Sequence, residues 1–142
     1  MGSINKEIDD FIKAEEKAQK AAQLRGKHYT EYVEKVRRLK KMKQNEEAIT
    51  LLYELIEVVE KESEVYKSYG IEWAVAPWYY EQLAIVFRKE KRFEEEVAIL
   101  ERHKEKNNGK SWTNIEERLK NAGILCEKQK KPRKNKRIEK EP

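Results

Sequence analysis

The sequence predicts an all-α protein of about six helices, and three observations carry that expectation. The first is composition: 42% charged and 38% hydrophobic residues, with five Gly and three Pro, suit helices with charged outer faces better than a sheet with its many turns. The second is spacing, because apolar residues recur every three or four positions along most of the chain. The third is an internal repeat, in which a shift of 48 residues lays one helix–turn–helix on another. At 142 residues the length predicts one helical-repeat domain over 1–126, followed by a basic tail, 127–142, expected to be disordered.

Ser3 can cap a helix opening at Ile4. Its apolar residues are Ile4, Ile8, Phe11, Ile12, Ala18, Ala21, Ala22 and Leu24, with bulk in the first half and alanine in the second. The far end is therefore expected to pack closely on a neighbour. Arg25 and Gly26 read as its stop. This helix is either an amphipathic cap on a helical stack or a surface for a partner, a second copy of the chain included.

Tyr29 to Met42 reads as a second helix, with Tyr29, Tyr32, Val33, Val36 and Leu39 on one face. Glu46 and Glu47 open a third, whose apolar residues from Ala48 to Val59 fall on more than one side. Such a helix is sandwiched between neighbours. It is expected to run to about Ser68, with Gly70 ending it. Pro77 disfavours helical geometry at Ala76 and suits a first turn, so 70–76 is a connection. The fourth helix runs from Pro77 to about Glu90, with Tyr80, Leu83, Ala84 and Phe87 on its core face. A basic turn follows, then a fifth helix from Phe93 to near Lys106, and Asn107-Asn108-Gly109 is a loop. Thr113 and Glu116 form a capping box before a sixth helix, expected to end at about Cys126.

Charge narrows the function classes. The net charge is +5, and residues 127–142, with eight Lys or Arg and three Glu, hold all of it. Residues 1–126 are neutral, so a generally basic nucleic-acid-binding domain is excluded. A single cysteine, Cys126, excludes an intramolecular disulfide framework and points to a reducing compartment. No apolar run approaches the ~20 residues of a membrane span, and the opening M-G-S-I-N-K-E-I-D-D has neither a secretory signal's apolar centre nor a myristoylation pattern. The expectation is a soluble, cytoplasmic protein without a membrane partner.

Under the 48-residue shift Tyr32 falls on Tyr80, Leu39 on Phe87, Lys43 on Lys91, Glu46-Glu47 on Glu94-Glu95 and Leu52 on Leu100. Apolar matches apolar, and the basic turn leading into glutamates also recurs. Tyr80, Leu83, Ala84, Phe87 and Phe93, with Tyr32, Val36, Leu39, Ala48 and Leu52 more loosely, resemble the tetratricopeptide repeat pattern. The resemblance covers roughly residues 29–106 and implies an α-solenoid of two helix hairpins plus capping helices, with a protein-recognition role. Three departures stand: Lys91 takes the place of the turn glycine, Glu96 that of a small residue, and the period is 48 rather than 34.

Two groups of residues are candidate sites. Tyr66, Tyr69, Trp73, Trp78, Tyr79 and Tyr80 crowd six rings into fifteen residues, either as a recognition pocket or as glue holding the connection to the hairpins. Trp73, Trp78 and Tyr79 are the partner-binding candidates, and a helix starting at Pro77 cannot turn both Trp78 and Tyr79 inward with Tyr80. The second group is basic. Arg88, Lys89, Lys91 and Arg92 in the turn, with Lys130, Lys131, Arg133, Lys134, Lys136 and Arg137 in the tail, are candidates for anion or nucleic-acid contact. The plainer reading is that turn cations and following glutamates complement helix dipoles and that the tail is solvated. No aromatic interleaves the tail, so base stacking has no platform there.

Catalysis has little to stand on. His28 and His103 are the only histidines, Cys126 has no identifiable base, and no glycine-rich phosphate loop exists. The sequence therefore reads as a non-enzymatic adaptor or regulator without a cofactor, binding a protein or peptide surface. Nucleic-acid association through the tail and basic turns is the alternative.

Overall fold

In a computed structural model of the chain, backbone is described for residues 2–110 and 112–140, and side chains for 5–110, 112 and 114–130. The described residues are predominantly helical, with six α-helices and one two-stranded hairpin: α1 (Gly2–Ala21), β1 (Gln23–Leu24), β2 (Lys27–His28), α2 (Val33–Lys41), α3 (Asn45–Ser68), α4 (Pro77–Lys89), α5 (Phe93–Lys106) and α6 (Thr113–Lys140). No helix among them is long and apolar enough to cross a membrane. The chain gathers into two compact units, Met1–Tyr79 and Tyr80–Pro142.

In the first unit α3 packs against both α1 and α2. That arrangement explains why its apolar residues fall on more than one side: Ala48, Leu52, Leu55, Ile56, Val59 and Tyr66 are all buried. The alanine-rich end of α1 makes the close contact expected of it. Ala14, Ala18 and Ala22 are fully or almost fully buried, and Ala14 and Ala18 meet Tyr66, with Val65, Tyr69 and Ile71 alongside. Small side chains at i, i+4 and i+8 keep one flat face on which large rings can lie. The bulky first half of α1 does not join this core, and Ile8, Phe11 and Ile12 are exposed.

After α1 the chain turns differently from the simple helix stop read at Arg25 and Gly26. Both residues take positive φ, 50° and 80°, and they close a hairpin in which Gln23 pairs with His28 and Leu24 with Lys27. Two successive positive φ values make the turn whose twist matches paired strands. The Tyr32 hydroxyl donates to Leu24 O at 2.6 Å, and Arg25 reaches Glu54 on α3 at 2.7 Å. The expected second helix then begins as a 3-10 turn, Tyr29–Tyr32, and becomes α-helical only at Val33. The His28 ring and the Glu31 carboxylate cap that turn reciprocally.

In the second unit α5 packs on α6, and Tyr80, Leu83, Ala84, Val86 and Phe87 of α4 are buried. His103 is fully buried on α5, edge-on to Tyr80 at 4.9 Å and with the Asn107 amide 2.9 Å from its Nε2. α6 continues to Lys140, so the helix passes the end expected near Cys126 and enters the segment expected to be disordered. Lys, Gln, Arg and Glu are good helix formers, and as far as Lys130 the segment is tied to the unit, where Gln129 donates to Lys91 O at 3.1 Å and Lys130 pairs with Glu94 at 3.3 Å. Beyond it the helix passes through Pro132, which removes a backbone donor from its interior. The expected caps at Ser3 and Thr113 rest on side chains outside the described residues.

Candidate functional site

The aromatic cluster of the first unit is organised around one carboxylate, Glu62. It sits on α3 four residues before Tyr66, so helical spacing sets both on one face. Glu62 is buried, and its Oε1 accepts from the Tyr29 hydroxyl at 2.9 Å and from Trp73 Nε1 at 3.3 Å. Ser63 Oγ donates to Trp73 O at 2.9 Å, which fixes the connection against the helix that precedes it. The Trp73 ring lies on Tyr66, centroids 4.0 Å apart and planes 18° from parallel.

Tyr79 closes the other side. Its ring meets Tyr29 edge-on at 5.5 Å, and its hydroxyl donates to Tyr29 O at 3.4 Å. Trp78 is half-buried, edge-on to Tyr79 at 5.0 Å, with the Arg37 guanidinium 6.0 Å from its ring centroid. Burial raises the Tyr29 phenol well above its ordinary range, reinforced by its bond to Glu62, and burial with the Glu62 charge pushes Tyr79 up to about 12. Both phenols are neutral donors: Glu62 accepts from Tyr29, and the Tyr29 carbonyl accepts from Tyr79. Among the described residues no group of three His, Cys, Asp or Glu is placed to hold a metal ion.

The three partner-binding candidates are thus separated by burial. Tyr79 is core. Trp78 is the member of that pair which reaches the surface, and Trp73, 37% exposed, is the most accessible of the three. Sequence reading missed Glu62 and Ser63, and it placed Tyr29 on a packed helix face without its bond to Glu62. The signal for Glu62 was its place three and four residues from Val59, Val58 and Tyr66, in an apolar stripe where a carboxylate needs donors. Tyr29 carried no such signal, being thirty-three residues away.

The chain matches no protein-family model, curated protein or solved structure.

The basic turn is largely occupied by its own glutamates. Arg88 reaches the fully buried Glu96 at 2.8 Å. Arg92 clasps Glu95 with two bonds of 2.7 Å, lies 4.9 Å from the Phe87 ring centroid, and holds the Glu95 carboxyl below its usual range. Lys89 and Lys91 are exposed. Lys130 pairs with Glu94, while the side chains of Lys131, Arg133, Lys134, Lys136 and Arg137 lie outside the described residues. Glu96, a departure from the small residue of the repeat pattern, is explained by Arg88: the larger side chain is accommodated because a cation meets it.

One further hollow lies in the first unit. A cavity of about 340 Å³ has Leu39 and Leu51 in its lining, with Lys35, Glu46 and Glu47 and the Arg25–Glu54 pair around them. Both charge signs are present, so the cavity selects neither anions nor cations by charge alone.

Proposed function

We propose that the chain is a tetratricopeptide-like helical-repeat protein, a solenoid in which α2–α3 and α4–α5 are the two repeated hairpins, acting as a cytoplasmic adaptor that binds a protein or peptide surface. The repeated turn chemistry supports the repeat assignment. Trp73 carries the binding assignment. It is stacked on Tyr66, bonded through Nε1 to Glu62 and through its carbonyl to Ser63, yet more than a third exposed. A large ring held in one orientation loses little freedom on binding, which is the property of residues that dominate protein interfaces. Trp78 supplies a second, less exposed ring.

The reading is tested by affinity capture from the native host with the wild-type chain, Trp73→Ala and Trp78→Ala. A specific protein captured by the wild type is expected to be lost with Trp73→Ala and reduced with Trp78→Ala, while circular dichroism keeps its helical signal. Retention of every captured protein by both variants would sink the proposal.

A further inference from the structure

The first half of α1 presents three large apolar side chains to solvent: Ile8, Phe11 and Ile12 are 53%, 48% and 47% exposed. Phe11 lies two turns before Ala18 on the same line of the helix, so it prolongs the seam that the alanines make with Tyr66. Ala14 already meets the last turn of α3, which ends at Ser68. Among the described residues, the turn of α1 that precedes Ala14 therefore has no helix of this unit to cover it.

The charges around this stripe are sorted. Residues four apart are neighbours on a helix, which sets Glu7 beside Phe11 on one flank, Glu16 beside Ile12 on the other, and Glu15 at the end of the stripe after Phe11. Lys6 and Lys13, seven apart, fall on the reverse face. Glu7, Glu15 and Glu16 are exposed and have no ion-pair partner among the described residues.

We propose that this stripe is a docking site for a basic amphipathic helix of a partner protein. Apolar side chains of the incoming helix would cover Ile8, Phe11 and Ile12, and its flanking Lys or Arg residues would meet Glu7, Glu15 and Glu16, as in other helix-on-groove recognition. Charge decides between occupants. A second copy of α1 laid on the stripe would set glutamates against glutamates. The basic segment Lys128–Arg137 has the charge, but its sequence K-Q-K-K-P-R-K-N-K-R offers no apolar face. The inference stands on residues other than Trp73 and Trp78 and does not depend on the role given to them.

The probe is a synthetic, fluorescein-labelled amphipathic helix of leucine and lysine, about five turns long, titrated with the full chain and followed by anisotropy. A second peptide with glutamate in place of every lysine is run beside it. Saturable binding of the lysine peptide and none of the glutamate peptide are expected, with affinity about tenfold weaker or more for Phe11→Ser and an intermediate loss for Ile12→Ser. Glu7→Gln combined with Glu16→Gln is expected to weaken binding and flatten its salt dependence. Unchanged affinity in both serine variants would show that charge alone holds the peptide and would overturn the proposal. Sedimentation showing a dimer of the free chain that Phe11→Ser dissociates would overturn it too, by making a second copy the occupant.

Discussion

Lys43 and Lys91 occupy equivalent places in the two hairpin turns, each with φ 58°. Around the first, Lys43 N–H donates to Lys40 O at 3.1 Å and Gln44 N–H to Leu39 O at 2.9 Å. Around the second, Lys91 N–H donates to Arg88 O at 3.0 Å and Arg92 N–H to Phe87 O at 2.8 Å. These are paired helix-end bonds of the kind glycine most often closes. A side chain held in the left-handed region costs about 1–2 kcal/mol.

Lys43→Gly and Lys91→Gly are therefore each expected to stabilise the chain. The gain should be about 0.5–1 kcal/mol, because relief of the crowded Cβ outweighs the freedom a glycine adds to the unfolded chain. Gly70→Ala, at φ 76° with nothing within 4 Å of an added Cβ, should lose a similar amount. Urea denaturation followed by circular dichroism measures all three. A loss in both lysine variants would show that the lysine side chains contribute more than the backbone relief.

What was legible in the sequence was mostly local. Pro77, Gly70 and Asn107-Asn108-Gly109 set helix ends through the φ values and donors they allow, and α4 and α5 lie within a residue of where those signals put them. What depended on distant partners was not legible. The hairpin after α1 is met by the Tyr32 hydroxyl and, on α3, by Glu54 paired with Arg25. The long α6 is tied back by Lys130 to Glu94. Periodicity identified the apolar face of α1 but carried no information on where α3 ends beneath it. The candidate site was half legible. The crowded rings could be counted, but the carboxylate that orders them takes its donors from residues on either side of it in the chain.

The Arg88–Glu96 pair is the costliest polar feature of the second unit. Glu96 is fully buried and Arg88 about one-third exposed. Arg88→Met leaves the carboxylate without its cation and is expected to cost about 2–4 kcal/mol, somewhat discounted because Arg88 still touches water. Arg88→Met combined with Glu96→Leu should recover much of that loss, since a buried pair replaced by apolar groups of similar volume is often neutral. Chemical denaturation of the single and double variants checks the sign of the coupling. A double variant less stable than Arg88→Met would refute the argument.

Alkaline pH should weaken the first unit through its buried phenols. Burial raises Tyr29, Tyr66 and Tyr79, with Glu62 adding to each, and Tyr79 is pushed up to about 12. In the unfolded chain the same groups ionise near 10, so above that pH the unfolded state has lost protons which the folded state keeps. Stability then falls as pH rises. The contribution is whole below about pH 10 and is lost as pH climbs through about 12. Denaturation at about pH 9 and about pH 11 should show a larger loss for the wild type than for Tyr79→Phe, whose ring cannot ionise. Equal losses would mean that other groups, the lysines above all, set the alkaline response.

Leu83 and Trp78 lie on the same helix with opposite expected outcomes. Leu83 is fully buried in the second unit, so Leu83→Ala removes apolar contacts and leaves a cavity, at a cost of about 2–5 kcal/mol. Trp78 is half-buried and touches Tyr79 only edge-on. Trp78→Ala should cost about 1–2 kcal/mol and leave the helical signal intact. Thermal and urea unfolding of the two variants, measured together, separates core from surface on α4. A Trp78→Ala chain that loses its helical signal would place that ring in the core and remove it from the binding surface, leaving Trp73 to carry recognition.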